Sequence, residues 1–342
     1  MKKKGFSLLV VLICAAFLFS GCGSGQEAAS QDSSNNEKRV FKITHVAGED
    51  FVWTRSMKKF EEELTARSNG RFSLEIFTNG SLGGEADMMQ QMKAGSLEMA
   101  WVTTAEMSNR SNAFNAWALP YLIKDIDHAK ELAYSDEGQG ILDTISADEG
   151  VHTLGYAIVE PRHVLMKDAQ ITDFNEFKGK KIRVTPSPIN IDWYETIGAA
   201  PTPLSLHEVY PSLQTGVIDG VDTGSVVITS NKLDEIAQDL IKTNHVMFNG
   251  VGFVSQKVWD SLSAEDQKII QESFDVATEY NYDIAKKEDE QGFETFKANG
   301  GKVFEIENMD DLNQVAEKFY DKYAQEDELI KAFIEKAKEL RP

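Results

Sequence analysis

The chemistry open to this chain starts from one arginine. In KKIRVTP, residues 180–186, Arg183 stands between the apolar, β-branched Ile182 and Val184, and Gly179 and Pro186 bound the run as they bound a short strand. A guanidinium at the mouth of such a strand is costly to desolvate unless an anion meets it. It offers a carboxylate two parallel donors, is weakly hydrated and stays charged, so it suits carboxylate capture. The competing use of the same side chain is an internal salt bridge.

Support for bond-breaking chemistry is thin. The chain has no H-E-x-x-H, G-x-S-x-G, Walker A or G-x-G-x-x-G pattern. Residues 56–59 match S-x-x-K, but the S-D-N and K-T-G elements that give that motif meaning are missing. The histidines at 45, 128, 152, 163, 207 and 245 have no metal-ligand spacing, and the only cysteines are Cys14 and Cys22. No catalytic residue, metal or cofactor is expected.

With 35 Lys+Arg against 55 Asp+Glu, the formal net charge is −20, which argues against nucleic acid or an anionic membrane face as partner. The expected route to the membrane is covalent. Lys2, Lys3 and Lys4 precede an uncharged apolar run at 6–19, too short to span a bilayer comfortably, so residues 1–21 read as an export signal. The run ends in FSGC, which resembles the lipobox of bacterial lipoproteins and would make Cys22 the lipidated first residue, although Phe19 stands where Leu is commonest. Residues 22–39 are polar and read as a flexible tether. A diacylglycerol on Cys22 anchors stably where one acyl chain would not.

The elements that must position Arg183 follow from periodicity. Short β-rich runs at 40–46, 71–77 and 97–102 alternate with helical stretches at 53–65 and 85–94, and helices broken near Pro120 and Gly138 fill 114–145. A second unit starts near Gly155, with strands at 163–166 and 181–185, helices at 189–197 and 207–214, and an apolar run at 216–221. Residues 245–254 read as strand again, then 264–298 and 309–340 as long amphipathic helices. This alternation implies α/β architecture with mostly parallel sheets. The expected layout is one lobe at 40–157, completed by about 246–263, a second at 158–245, and a helical section at 264–342 that ties them together. Ligands of such folds bind beyond the carboxyl ends of strands and in clefts between lobes.

Four stretches carry a resemblance: residues 71–95, ALPY at 118–121, KIRVTP at 181–186, and PTPLSLHEVYPSLQTGVIDG at 201–220. Together they resemble the extracytoplasmic solute-binding proteins of tripartite ATP-independent periplasmic (TRAP) transporters, over nearly the whole chain from Val40. The resemblance implies a two-lobed periplasmic-binding-protein fold, type II-like, with an interlobe ligand cleft, crossover strands and a long helix spanning both lobes. It implies that Arg183 makes a bidentate contact to a ligand carboxylate and that Arg162 is a second arginine at the cleft. Where many relatives carry Q-E-N-P after the D-G pair, this chain reads Val221-Asp222-Thr223-Gly224, so Thr223 stands in for a ligand-binding asparagine, beside Asp222. By the same alignment Thr103 and the segment from His45 to Glu49 fall at the cleft. Trp193, on the helix after Arg183, and Trp53, which opens the first helix, could supply an apolar wall, although a core role is commoner.

The function implied is capture of a small organic anion, a sugar acid or short carboxylate, and delivery to a TRAP-type permease. A sensory receptor of the same fold is the near alternative. An exported enzyme acting on acidic saccharides is the distant one, and it would need paired carboxylates or a metal in the cleft.

Overall fold

The computed structural model describes residues 38–145 and 149–341. The expected export signal, Cys22 and nearly all of the tether lie outside the described residues. Eleven strands are present among those described: β1 (Arg39–Thr44), β2 (Phe72–Phe77), β3 (Met99–Thr103), β4 (Val151–Pro161), β5 (His163–Met166), β6 (Lys181–Val184), β7 (Ala200–Pro203), β8 (Gly220–Thr223), β9 (Asp239–Lys242), β10 (Met247–Ser255) and β11 (Lys302–Glu305). They form a five-stranded sheet in the order β2-β1-β3-β10-β4 and a six-stranded sheet in the order β11-β9-β5-β8-β6-β7.

Both sheets are mixed, which corrects the expectation of mostly parallel pairing. The chain leaves the first sheet through β4, passes Arg162 and enters the second as β5; it returns through β9 and β10. The two passages run in opposite directions, so β10 is antiparallel to β3 and β4, and β5 is antiparallel to β8 and β9. Between the sheets the ribbon is kept in register by Arg162 N–H donating to Val246 O (2.8 Å) and His245 N–H to Arg162 O (3.3 Å). The second sheet therefore begins at His163, not near Gly155, which lies in β4.

The helix Ala264–Ala298 starts where Ser263 Oγ accepts from the Asp266 N–H (3.1 Å). Its 35 residues run about 50 Å and touch both lobes. Phe274 packs edge-on to Trp101 at 5.6 Å over the first sheet, whereas Phe296 joins Leu165, Val221 and Leu240 in the core of the second. At Gly292 the helix presses so closely on Ser225 that any side chain there would collide with it. The section beyond was expected to be helical throughout and is not, because β11 adds an edge strand parallel to β9. The final helical run also splits, into Met309–Glu326 and Glu328–Glu339, at Asp327, whose extended backbone lets its carboxylate cap the second helix through Leu329 N–H (2.8 Å).

One joint between the lobes is unusual. Glu160, buried at the end of β4, accepts hydrogen bonds from the N–H groups of Val226 (2.8 Å) and Val227 (3.4 Å). It fits because residue 224 is glycine, since a Cβ there would fall on the Glu160 carboxyl group. Burial pushes the Glu160 carboxyl up to about 8, against the pull of Arg162.

Candidate functional site

Arg162 occupies the single position between β4 and β5, so its side chain is held by the ribbon that joins the lobes. Its Nε donates to Asp222 Oδ1 (2.5 Å), and Nη2 donates to the Asp222 carbonyl (2.7 Å) and to Thr185 Oγ1 (3.2 Å). The guanidinium lies over the Phe248 ring at 4.3 Å. The other oxygen of Asp222 meets His245 Nε2 at 3.0 Å. Burial alone would raise the Asp222 carboxyl, but Arg162 and His245 outweigh it and hold it well below the usual carboxylate range. Arg162 is thus a cation with an internal answer.

Arg183 is different. It is only 2% exposed; its Nε donates to Leu204 O (2.8 Å) and its Nη1, at 3.4 Å, to the Asp222 carbonyl. Among the described residues no carboxylate forms an ion pair with it. Burial, and then the like charge of Arg162, push the guanidinium down to about 9, so it still carries its charge near neutrality.

Both arginines face a cavity of about 290 Å³ between the lobes, near the lower end of the roughly 300–1,000 Å³ usual for ligand sites. Phe51, Trp53, Val159, Leu206, Val227 and Phe248 supply its apolar surface. The Trp53 indole is fixed by donation to Ile158 O (2.8 Å). Thr185, Ser205 and His207 add polar groups on the side of the second sheet.

Across from the arginines stand carboxylates. Glu85, first residue of the helix Glu85–Ala94, accepts from Thr103 N–H and Thr103 Oγ1–H, both at 2.7 Å. Desolvation pushes it up to about 7, against those hydrogen bonds and the Arg183 charge. Glu106 is buried, is likewise raised by desolvation, and pairs with Arg110 at 3.1 Å. Asp87, exposed at the rim, accepts from Gly84 N–H at 3.0 Å.

Of the residues expected at the cleft, the structure brings Arg183, Arg162, Thr103, Trp53 and, from the segment His45 to Glu49, Val46 and Ala47 to the cavity wall, and leaves Asp222, Thr223, Trp193, His45 and Glu49 off it. Asp222 spends its carboxylate on Arg162 and His245. Thr223 is fully buried, cross-strand from His163, with no partner for its hydroxyl. Trp193 packs between Tyr121 and Phe319, at 6.1 and 5.7 Å. His45 is buried against Thr54 (2.9 Å), and desolvation pushes it down to about 3. Glu49 is exposed and pairs with Lys58 at 3.1 Å. Sequence reading missed Glu85, Thr185, Ser205, His207 and Phe248. Thr185 had a signal, since it lies two residues from Arg183 on the same strand face.

Among the described residues no group of three or more His, Cys, Asp or Glu side chains is placed to hold a metal ion. A single guanidinium without a counter-ion, apolar walls and opposed carboxylates make a site that can grip and orient a small anion.

Known proteins match both sequence and shape. The family model described as "Bacterial extracellular solute-binding protein, family 7" matches residues 43–327. A solute-binding protein of Roseobacter denitrificans is 30% identical over 272 residues, 80% of this chain and 80% of that protein. The sialic acid-binding periplasmic protein of Vibrio cholerae is 28% identical over 79% of this chain and 84% of its own. Among solved structures, a TRAP periplasmic solute-binding protein from Bradyrhizobium in complex with galacturonate superposes with a TM-score of 0.83 at 26% identity, covering 88% of this chain and all of that one. The sugar acid binding protein of Advenella mimigardefordensis, solved with galactonate, reaches 0.86 at 21% identity, over 89% and 99% of the two chains. With its two mixed sheets, its bridging ribbon and this match over most of its length, the chain belongs to family 7 of the bacterial extracellular solute-binding proteins, the DctP-type receptors of TRAP transporters.

Proposed function

We propose that this receptor captures a small organic anion, a sugar acid or short carboxylate, and hands it to a TRAP-type permease while tethered to the outer face of the membrane through a lipid on Cys22. The observation that carries the reading is Arg183, a desolvated guanidinium on the cavity wall that forms no ion pair with any carboxylate among the described residues. Burying a cation that way is costly unless the missing anion arrives with the ligand. Two relatives of 25% identity or more were solved with sugar acids, one with galacturonate and one with D-erythronate. Others are named for sialic acid and C4-dicarboxylates, with one named for ectoine, so kinship supports a small polar solute and leaves its identity to the site. Arg162 and Thr103 would help orient the bound acid.

A thermal-shift screen of the purified protein against organic acids tests the reading. An acid at a hundredfold excess over its Kd adds about 2.7 kcal/mol of stability. Arg183→Ala should then weaken that acid by roughly 30-fold to several-thousand-fold, the cost of about 2–5 kcal/mol for leaving a buried charge unpaired, and Arg183→Lys should rescue only part, because an ammonium lacks the two-pronged geometry. If only neutral sugars or cations shift the melting point, the reading fails. The anchor is tested separately, by loss of lipid labelling in Cys22→Ser.

A further inference from the structure

The charges around the cavity say more about the solute than that it is an anion. Two cations and three carboxylates line it: Arg162 and Arg183 against Glu85, Asp87 and Glu106. Arg162 is already neutralised by Asp222 and Glu106 by Arg110, each through a direct ion pair. Among the described residues that leaves Arg183 as the one lining cation without an ion pair, on a wall shared with Glu85, whose two oxygens are both turned to Thr103, and with Asp87 at the rim. His207 is the remaining titratable group on the wall.

From this balance we infer that the cavity selects monocarboxylates bearing hydroxyl or ammonium donors at the far end, and rejects dicarboxylates of the same length. The inference rests on the carboxylate-capture reading above. A first carboxylate meets Arg183. A second finds no unpaired cation on the wall, so it either loses its hydration without a counter-charge or approaches Glu85 and Asp87, where like charges repel at pH values above about 7, at which Glu85 ionises. A donor at that end is favoured, because each carboxylate oxygen has acceptor capacity beyond the hydrogen bonds it already makes. The apolar faces of Trp53 and Phe248 are suited to the carbon chain between the two ends.

The experiment uses matched acids that differ only at the far end: D-gluconate with D-glucarate, D-galactonate with D-galactarate, and unhydroxylated hexanoate with adipate, extended to pairs of four to nine carbons. Calorimetric titration of the purified protein at pH 8, where Glu85 is mostly ionised, should give the hydroxylated monoacid at least about 100-fold tighter binding than its diacid. In Glu85→Gln that ratio should shrink by at least about tenfold, chiefly through a gain for the diacid, because the amide keeps an acceptor and adds a donor while removing the charge. Diacids that bind as tightly as monoacids, in an Arg183-dependent way, overturn this inference and leave the carboxylate reading standing. Hexanoate binding as well as gluconate overturns the donor requirement. If no carboxylate of any length binds, both readings fall together.

Discussion

The two arginines of the cavity differ in one respect, the anion that the chain itself supplies to each. Arg162 sits in the ribbon joining the lobes and has its anion built in, with Asp222 in turn held by His245. Arg183, near the end of β6, is as deeply buried, yet among the described residues it is hydrogen-bonded only to main-chain carbonyls. Burial and residue type are the same, so neither tells a binding cation from a bracing one. The partner does, and the partner of Arg162 lies sixty residues away in sequence.

The sharpest way to break the comparison is to remove each guanidinium in turn and melt the protein without ligand. Arg162→Ala strands the Asp222 carboxylate in the interior, which should cost about 3–5 kcal/mol in urea denaturation. At the other extreme, Arg183→Ala should cost less than about 1 kcal/mol without ligand, since no carboxylate of the described chain loses its ion pair. Equal losses in the two variants would mean that Arg183 is a brace as well, and would remove the basis for ligand capture.

Between those extremes lies the pH dependence of stability. Glu160 and Glu85 have folded-state values raised to about 8 and about 7, so the stability they contribute is fully present below their ordinary value near 4.3 and is lost as pH rises through the folded values. His45 and His163, both pushed down to about 3 by burial, work the opposite way, and their contribution fades as pH falls below about 6.5. The two pairs offset one another between about pH 4.5 and 6.5, giving a plateau with a falling alkaline limb. Between pH 6.5 and 8 Glu160 alone should remove on the order of 2 kcal/mol. Thermal melts of Glu160→Gln should lose most of that limb, and a profile as steep as that of the unmodified protein would show that Glu160 is ionised in the fold.

Much of this was legible from local pattern. The helices Glu85–Ala94 and Ala264–Ala298 are strongly periodic, and each starts at a residue suited to cap it, Gly84 and Ser263. Arg183 was visible because a charge inside an apolar strand is an anomaly. Glu85 was not, because an acidic residue in the first turn is the ordinary complement of the helix dipole; only the approach of Thr103 and the arginines makes it part of a site. Strand β7, APTP, was missed because two prolines argue against a strand, a rule that an edge position relaxes. Strands β9 and β11 are four residues each, too short for alternation to show. The helix break expected at Gly138 falls instead at Ser135, which caps the next helix through Gly138 N–H (3.1 Å).

The joint at Glu160 and Gly224 also constrains the order in which such a chain could have been reached. A side chain at 224 would displace the Glu160 carboxyl from its place, whereas a residue at 160 too short to reach that place would remove the clash. In a stepwise history the glycine is therefore the permissive change and the carboxylate comes after it. Reversal is blocked once both are in place: Gly224→Ala alone should disrupt the joint, while Glu160→Ala made first should relieve much of that cost, a non-additivity that a double-mutant cycle reads directly.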